Sequence, residues 1–588
     1  MSNFIQYIND NAVPVKEVET QQRELYLNVM EKSIAGYDFS DIENKLDNPI
    51  YDFQDIFDGY SRISMSRLLS VMAFLIKEKR IMASDDFWHK LMNAVLDDIL
   101  LDHPKSGVEF LVLEICIALH VMGSGVPYYA SYIEKLRQIN PYGKYDSILA
   151  KKTADELHNF CMYGICAEYL RGMLTGEDTG DFIDKHWAVQ KNKFNKNGRY
   201  MDPGCPMVYD ITSGYRIALM LKRGYKGKSA KDMREVLRKN AVNLLMQMSS
   251  DYKFPYGGRS NQFNFNECLA SSMFEYHSQT FSEEGGHKIA GVFRHYALKS
   301  VSGIYSWLNE NPPKHIKNHF PINSNYGIDS YGTYERYMVT MGAFMSGALL
   351  FMDESIPLYR FPSSSPGYLL ADMDEFHKVF ASNRGYSIEI DPAADPRYDS
   401  SGLGRIHYCG APLELALSMP FAANPAYSLG EFTNSRARSI CAFWTFDGKK
   451  EYLSEFDCHY TTEIISAEAE AFRFKMQYSI NGRGKIIEEY LMTKEGVYIY
   501  CNCDFADISY CIPVLKYNGS EETNLEINSR NCCIRLGGWV YSISWEEGTF
   551  AEFCDYLLYN RNGVYRELNL LNCNNEISIK LSIKKEQK

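Results

Sequence analysis

The chain has 588 residues, more than one hydrophobic core holds, because single cores stop growing at about 250–300 residues. Its 45% hydrophobic and 23% charged residues are those of an ordinary globular protein, and two large folded units are expected. The net charge of −12 and the absence of any basic run exclude a general nucleic-acid footprint.

No stretch of 18 apolar residues suggests a membrane span, and Met1 to Ile50 lacks a charged-then-apolar leader, so a cytoplasmic protein without membrane partners is expected. The fifteen cysteines are scattered and odd in number, which fits reduced thiols. No paired C-x-x-C motifs stand at zinc-finger spacing, and neither a metal nor a cofactor is expected.

From about Glu17 to Met352 the apolar residues recur at helical spacing, as in Leu68, Leu69, Met72, Leu75 and Ile76, or Val236, Leu237, Ala241, Leu244 and Leu245. Asn140-Pro141-Tyr142-Gly143 and Asn311-Pro312-Pro313 are expected as loops. Ten to twelve helices in succession, with no 34- or 40-residue repeat, fit helix hairpins closed into an (α/α) toroid over residues 1–360. After the Pro- and Ser-rich stretch Phe361 to Pro366 the period changes to two. Phe472, Phe474, Met476 and Tyr478 alternate with polar residues, as do Ile577, Ile579, Leu581 and Ile583. Residues 361–588 therefore read as an antiparallel β-sandwich.

Four polar segments interrupt the helical half. Leu157-His158-Asn159-Phe160 opens one helix, with His158 and Asn159 as candidates. Asn197-Gly198-Arg199-Tyr200-Met201-Asp202 leads to Tyr209 and Asp210, where Asp210 reads equally as a helix cap. The segment from Phe254 to Glu267 holds two glycines that admit close backbone approach, then Arg259, Asn261, Gln262, Asn264, Asn266 and Glu267. Such a density of hydrogen-bonding groups suits hydroxyls and a carboxylate, and Tyr256 and Arg259 lead it, the guanidinium fork being the natural partner of a uronate. Between Asn325 and Tyr337 lie Tyr326, Asp329, Tyr331, Tyr334 and Glu335, an aromatic platform interleaved with acid–base groups. In the β half His407 is a further candidate. Gly224 to Ser229 resembles the end of a P-loop, but Lys222 stands where its first glycine is required.

Taken in order, these segments resemble domain-of-unknown-function family 2264, related to heparinase-like and alginate-lyase-like toroids. The likeness rests on His158-Asn159-Phe160, Asn197 to Asp202, Tyr256 to Ser260 and Tyr326 to Tyr334, with a weaker echo from Arg405 to Ser418. Gly257-Gly258 carries one glycine more than the family pattern, and Gln262 or Asn264 replaces its arginine. The resemblance implies a toroid followed by a sandwich, and an enzyme that cleaves glycosidic bonds in uronic-acid-containing oligosaccharides.

A hydrolase needs two carboxylates, drawn here from Asp210, Glu267, Asp329 and Glu335. A lyase would take Tyr331 or Tyr334 and His158 or His407 as base and acid, with Arg259 and Asn261 neutralising the uronate. The glucuronidase-like hydrolase is favoured, the lyase second, and a non-catalytic glycan-binding protein third.

Overall fold

The computed structural model describes residues 2–16, 21–48, 62–101, 107–145, 156–361, 367–372 and 375–586. The expected start of the helical region at Glu17 and the Pro/Ser-rich boundary from Pro362 to Pro366 lie outside them. The chain divides into two compact units, one of Met1–Val242, Phe263–His315 and Gly332–Arg360, the other of Asn243–Gln262, Ile316–Tyr331 and Phe361–Lys588.

In the first unit, helices Arg62–Lys77, Val108–Met122, Phe160–Thr175, Met207–Lys222, Phe265–Glu283 and Tyr334–Phe351 each pack on the next. The last returns to the first, so the six close a ring. A further helix lies between each consecutive pair in sequence, such as Asp85–Leu100 and Gly180–Gln190. Val108–Met122 shows why the ring forms: Val108 to Leu119 are all buried, and a helix apolar on every side must be surrounded. Close packing also needs small residues. A Cβ on Gly347 would stand 2.4 Å from the Tyr215 ring.

The ring helices run parallel. Phe110, near the start of one, meets Phe160 and Tyr163 at the start of the next, while at the far ends Lys77 Nζ donates to the Val121 carbonyl. The ring is filled by polar as well as apolar groups. Ser70 Oγ donates to Glu114 Oε2 at 2.6 Å, and the buried Arg216 guanidinium lies 3.9 Å from the Tyr163 ring centre. Among the described residues no helix is long and apolar enough to cross a membrane. Asn140 to Gly143, expected as a loop, instead starts the single helical turn Pro141–Lys144. Asn140 caps the Tyr142 N–H, and proline occupies the first position, where its missing N–H costs nothing.

Among the described residues the second unit holds three antiparallel sheets, of eight, five and four strands. The eight-stranded sheet includes Ala471–Ile480, Gly484–Thr493, Gly496–Cys503, Glu576–Lys585 and Trp539–Trp545 as consecutive neighbours. Its inward Phe472, Phe474, Met476, Ile577, Ile579 and Leu581 share one core with Ile512, Val514 and Leu568 of the five-stranded sheet and Val379 and Ile388 of the four-stranded sheet. The period-two alternation is thus that of strands buried on one face.

Residues 243–262 and 316–331 belong to this unit although sequence places them in the helical half. Their backbone partners explain it. Gly327 N donates to the Ser428 carbonyl at 2.7 Å, and Ser428 N returns a bond to Ile328 O at 2.8 Å.

Candidate functional site

Because the ring helices are parallel, their N-termini share one end, where unpaired N–H groups and aligned peptide dipoles favour negative charge. Eight of the sequence candidates lie there. His158 is half-buried, with its Nδ1 accepting weakly from Phe160 N at 3.4 Å. Asn159 N and Nδ2 donate to Asp202 Oδ1 at 2.7 and 3.2 Å. Tyr209 is half-buried and its carbonyl accepts from Ser213 Oγ.

Asp210 is fully engaged inside the unit. Its oxygens accept from Tyr200 N at 2.8 Å, Arg199 Nε at 3.1 Å and Asn240 Nδ2 at 3.2 Å, so it staples the preceding loop to the helix start. Burial pushes its carboxyl up, and the Arg199 guanidinium opposes that. Glu267 is buried in the first turn of its helix and Glu335 is half-buried in the first turn of another. Tyr334 donates to the Pro313 carbonyl at 2.8 Å, and burial pushes its hydroxyl up to about 12.

Asn264 Nδ2 donates to the Lys314 carbonyl at 2.7 Å, whereas its Oδ1 has no partner. Beside it His315, which the sequence reading passed over, is buried with neither ring nitrogen bonded. It stacks on Tyr337 at 5.7 Å and meets the edge of Tyr334 at 5.3 Å. Burial pushes it down to about 3, so it is a neutral imidazole.

The other seven candidates belong to the second unit, and six of them lie on the two loops 254–262 and 325–331 or lead from them. The first loop is conformationally strained: Gly257, Gly258, Ser260 and Gln262 all have positive φ, of 137°, 70°, 60° and 68°. Ser260 and Gln262 carry side chains there, a cost that is kept where the surroundings hold a site in shape.

Asp329 is the hub. It accepts from Ser260 N at 3.1 Å and from Arg561 Nη2 at 2.9 Å, and Arg561 Nη1 also donates to the Gly327 carbonyl. Asp329 and Arg561 are both buried. Tyr331, 41% exposed, shares a hydrogen bond with Ser260 Oγ. Arg259 is half-buried next to them in the chain. Tyr326 is buried, stacks on Phe320 at 3.7 Å and donates to the Gly563 carbonyl at 3.2 Å, which makes it a brace for the loop.

A residue outside the expected set completes the cluster. Asp399 is 1% exposed, accepts from Gly258 N at 2.7 Å through Oδ2, and has no partner on Oδ1. Burial pushes its carboxyl up to about 7, with Lys378 opposing the shift. Tyr427, whose ring lies 4.2 Å from the Arg561 guanidinium, has a buried hydroxyl without a partner, as have Tyr256 OH and Asn261 Oδ1. Buried polar atoms are rarely left unpaired, and four of them here belong to one loop and its neighbours. They provide the Asp399 carboxyl, an amide acceptor and two hydroxyls for an occupant or for water.

Behind them lies a compensated charge cluster. Lys378 Nζ sits 3.3 Å from the Tyr256 ring centre and bonds Glu389 at 3.1 Å and Asp391 at 3.2 Å, while Arg405 meets Glu389 at 3.3 Å. His407 is buried, with Nδ1 on Ser249 Oγ at 3.0 Å and Nε2 on the Ala411 carbonyl at 3.1 Å. Both nitrogens are thus engaged, and burial pushes the ring down to about 4. Among the described residues no three His, Cys, Asp or Glu side chains are grouped as a metal site requires.

No signal in the sequence singled out Asp399 or Arg561. Asp399-Ser400-Ser401 reads as a turn, and Asn560-Arg561-Asn562-Gly563 reads as a hairpin connection, which it is.

No protein-family model matches the chain, that of family 2264 included, and no curated protein matches it. Among solved structures it is similar to heparinase III, with 9% identity, a TM-score of 0.49, and coverage of 100% of this chain and 89% of the other. It is also similar to the heparan sulfate lyase HepC of Pedobacter heparinus, with 9% identity, a TM-score of 0.35 and coverage of 96% and 89%. An unsaturated glucuronyl hydrolase of Streptococcus agalactiae shares 14% identity over 58% of this chain and 98% of its own, with a TM-score of 0.34. At such identities these are likenesses of architecture.

Proposed function

We propose that the protein cleaves glycosidic bonds in uronic-acid-containing oligosaccharides as a glucuronidase-like exo-acting hydrolase, with its chemistry in the cluster around Asp329 and Asp399. The observation that carries this reading is that two buried carboxyls, Asp399 and Asp329, accept from the same short backbone stretch, at Gly258 N and Ser260 N. Asp399 is pushed up to about 7 by burial and keeps a proton to give. Asp329 accepts from the Arg561 guanidinium and from the Ser260 N–H. Two carboxyls brought to one stretch of backbone are what acid and base roles in glycoside hydrolysis require.

In the hydrolytic cycle Asp399 protonates the leaving oxygen, and Asp329 stabilises the positive charge that grows on the sugar ring or activates the water that ends it. Arg259 is placed by sequence beside Ser260 and supplies a planar fork for the uronate carboxylate. Tyr331 offers an exposed ring for a sugar face.

One observation favours a second reading, β-elimination. The hydrogen bond between Tyr331 OH and Ser260 Oγ joins a phenol to a hydroxyl, and a phenol so held is a candidate base for the proton α to a uronate carboxylate. Incubation with aryl and oligosaccharide glucuronides separates the two. Free saturated uronic acid supports hydrolysis, and an ultraviolet-absorbing unsaturated uronate supports elimination. Binding without either product leaves a glycan-binding protein and contradicts both.

A further inference from the structure

Arg216 stands midway along the ring helix Met207–Lys222 and is 1% exposed. Its guanidinium carbon lies 3.9, 4.7 and 5.6 Å from the ring centres of Tyr163, Tyr215 and Phe344. A guanidinium cannot shed its proton in a protein, so burial cannot neutralise it as it neutralises a lysine or a carboxyl. Aromatic faces attract a buried cation, but less than removal from water costs it. The charge therefore calls for an anion.

The side chains around it supply too little. Its Nε has no hydrogen-bond partner, and among the described residues no carboxylate forms an ion pair with it. Glu114 is the carboxylate that acts on it through space, but Glu114 Oε2 accepts from Ser70 Oγ at 2.6 Å, and its Oε1 lies 4.0 Å from Arg67 Nε. One carboxylate thus stands against two buried guanidinium groups. Burial pushes the Cys166 thiol up to about 12 and raises the Tyr215 hydroxyl as well, so neither provides a negative charge. The Tyr215 hydroxyl is itself buried without a partner and is a second donor beside the bare Nε. Walls of three aromatic rings suit a compact ion and not a sugar.

We infer that the interior of the helical ring binds a small monovalent anion of the halide class, held by the Arg216 guanidinium. It balances the second guanidinium charge and so stabilises the ring from within, and it requires no part of the proposed activity.

Crystals of the full chain grown in sodium bromide test this without any substitution, since anomalous diffraction should place bromide within hydrogen-bond distance of Arg216 Nε. In solution, thermal unfolding in sodium chloride should have its midpoint about 2–4 °C above that in sodium gluconate at equal ionic strength, gluconate being too large to enter. Arg216→Met, which replaces a lone buried charge by an apolar side chain and should fold, is expected to abolish that difference. Glu114→Gln leaves two guanidinium groups with no carboxylate between them, and half-saturation should then come at about tenfold lower chloride. A role of Arg216 in packing alone would not produce that gain. The inference is overturned if no bromide lies at Arg216, if the chloride and gluconate midpoints of the wild type coincide, if their difference survives Arg216→Met, or if Glu114→Gln fails to strengthen the chloride response.

Discussion

Arg561 Nη2 donates to Asp329 Oδ1 at 2.9 Å, and both side chains are withdrawn from solvent. The hairpin turn that carries Arg561 is thereby fixed to the loop that carries Asp329, Gly327 and Tyr331. Removing one partner leaves the other charge buried and alone, which costs about 3–5 kcal/mol, whereas removing both costs much less. Arg561→Met and Asp329→Asn are each expected to lower the unfolding free energy by that order, and the double variant by less than their sum. A denaturant double-mutant cycle reads the coupling, and additive losses would show that the pair does not act as a unit.

Asp399 also leaves a mark on stability. Its folded value of about 7 stands above the ordinary aspartate value of about 3.9, so the native state keeps a proton that the unfolded chain has lost. The stability this contributes is complete below about pH 4 and is lost as pH rises through about 7. Asp399→Asn should therefore gain on the wild type as the pH goes from 4 to 8. Parallel urea-unfolding curves across that range would contradict the buried, protonated carboxyl.

His407 behaves with the opposite sign. Its folded value of about 4 lies below the ordinary value of about 6.5. The stability of its neutral ring is complete above about pH 6.5 and is lost as pH falls through about 4. Its two hydrogen bonds should make His407→Phe cost about 1–3 kcal/mol at pH 7. The same variant should be less sensitive to acid between pH 6.5 and 4, as unfolding midpoints at several pH values will report.

Glu109, the second residue of its ring helix, is buried with both carboxyl oxygens unpartnered, and burial pushes it up to about 7. Its proton is the cheaper state, and above pH 7 the ionised form is a burden. Glu109→Gln is expected to stabilise the helical unit at pH 8 and to be nearly neutral at pH 5. A loss of stability at pH 8 would show that the carboxylate has a partner that matters.

What the sequence could show follows from which interactions are local. The ring is legible because helical spacing repeats in segments such as Leu68 to Ile76, and the sandwich because Phe472 to Tyr478 and Ile577 to Ile583 alternate. The loop from Tyr256 to Asn261 is legible too, because two glycines followed by Arg, Ser and Asn have no role in plain helix packing. Its partners are not. Gly258 and Asp399 are 141 residues apart, and Asp329 and Arg561 are 232 apart; each looks like a turn residue in its own neighbourhood. Asp210 illustrates the reverse. Its position at a helix start fits a cap and a catalytic acid equally, and only the bonds from Arg199, Tyr200 and Asn240 show that it is engaged in holding its own loop.

The most direct test of the central claim compares kcat/KM of the wild type and Asp399→Asn on two glucuronides, one with a poor alkoxide leaving group and one with an activated aryl group. If Asp399 delivers the proton, the variant loses at least about a hundredfold on the first and little on the second, and the wild-type rate on the first falls as pH rises through about 7. Equal rates for the two proteins on the unactivated glucuronide, or no uronic acid released by the wild type from either, would contradict it.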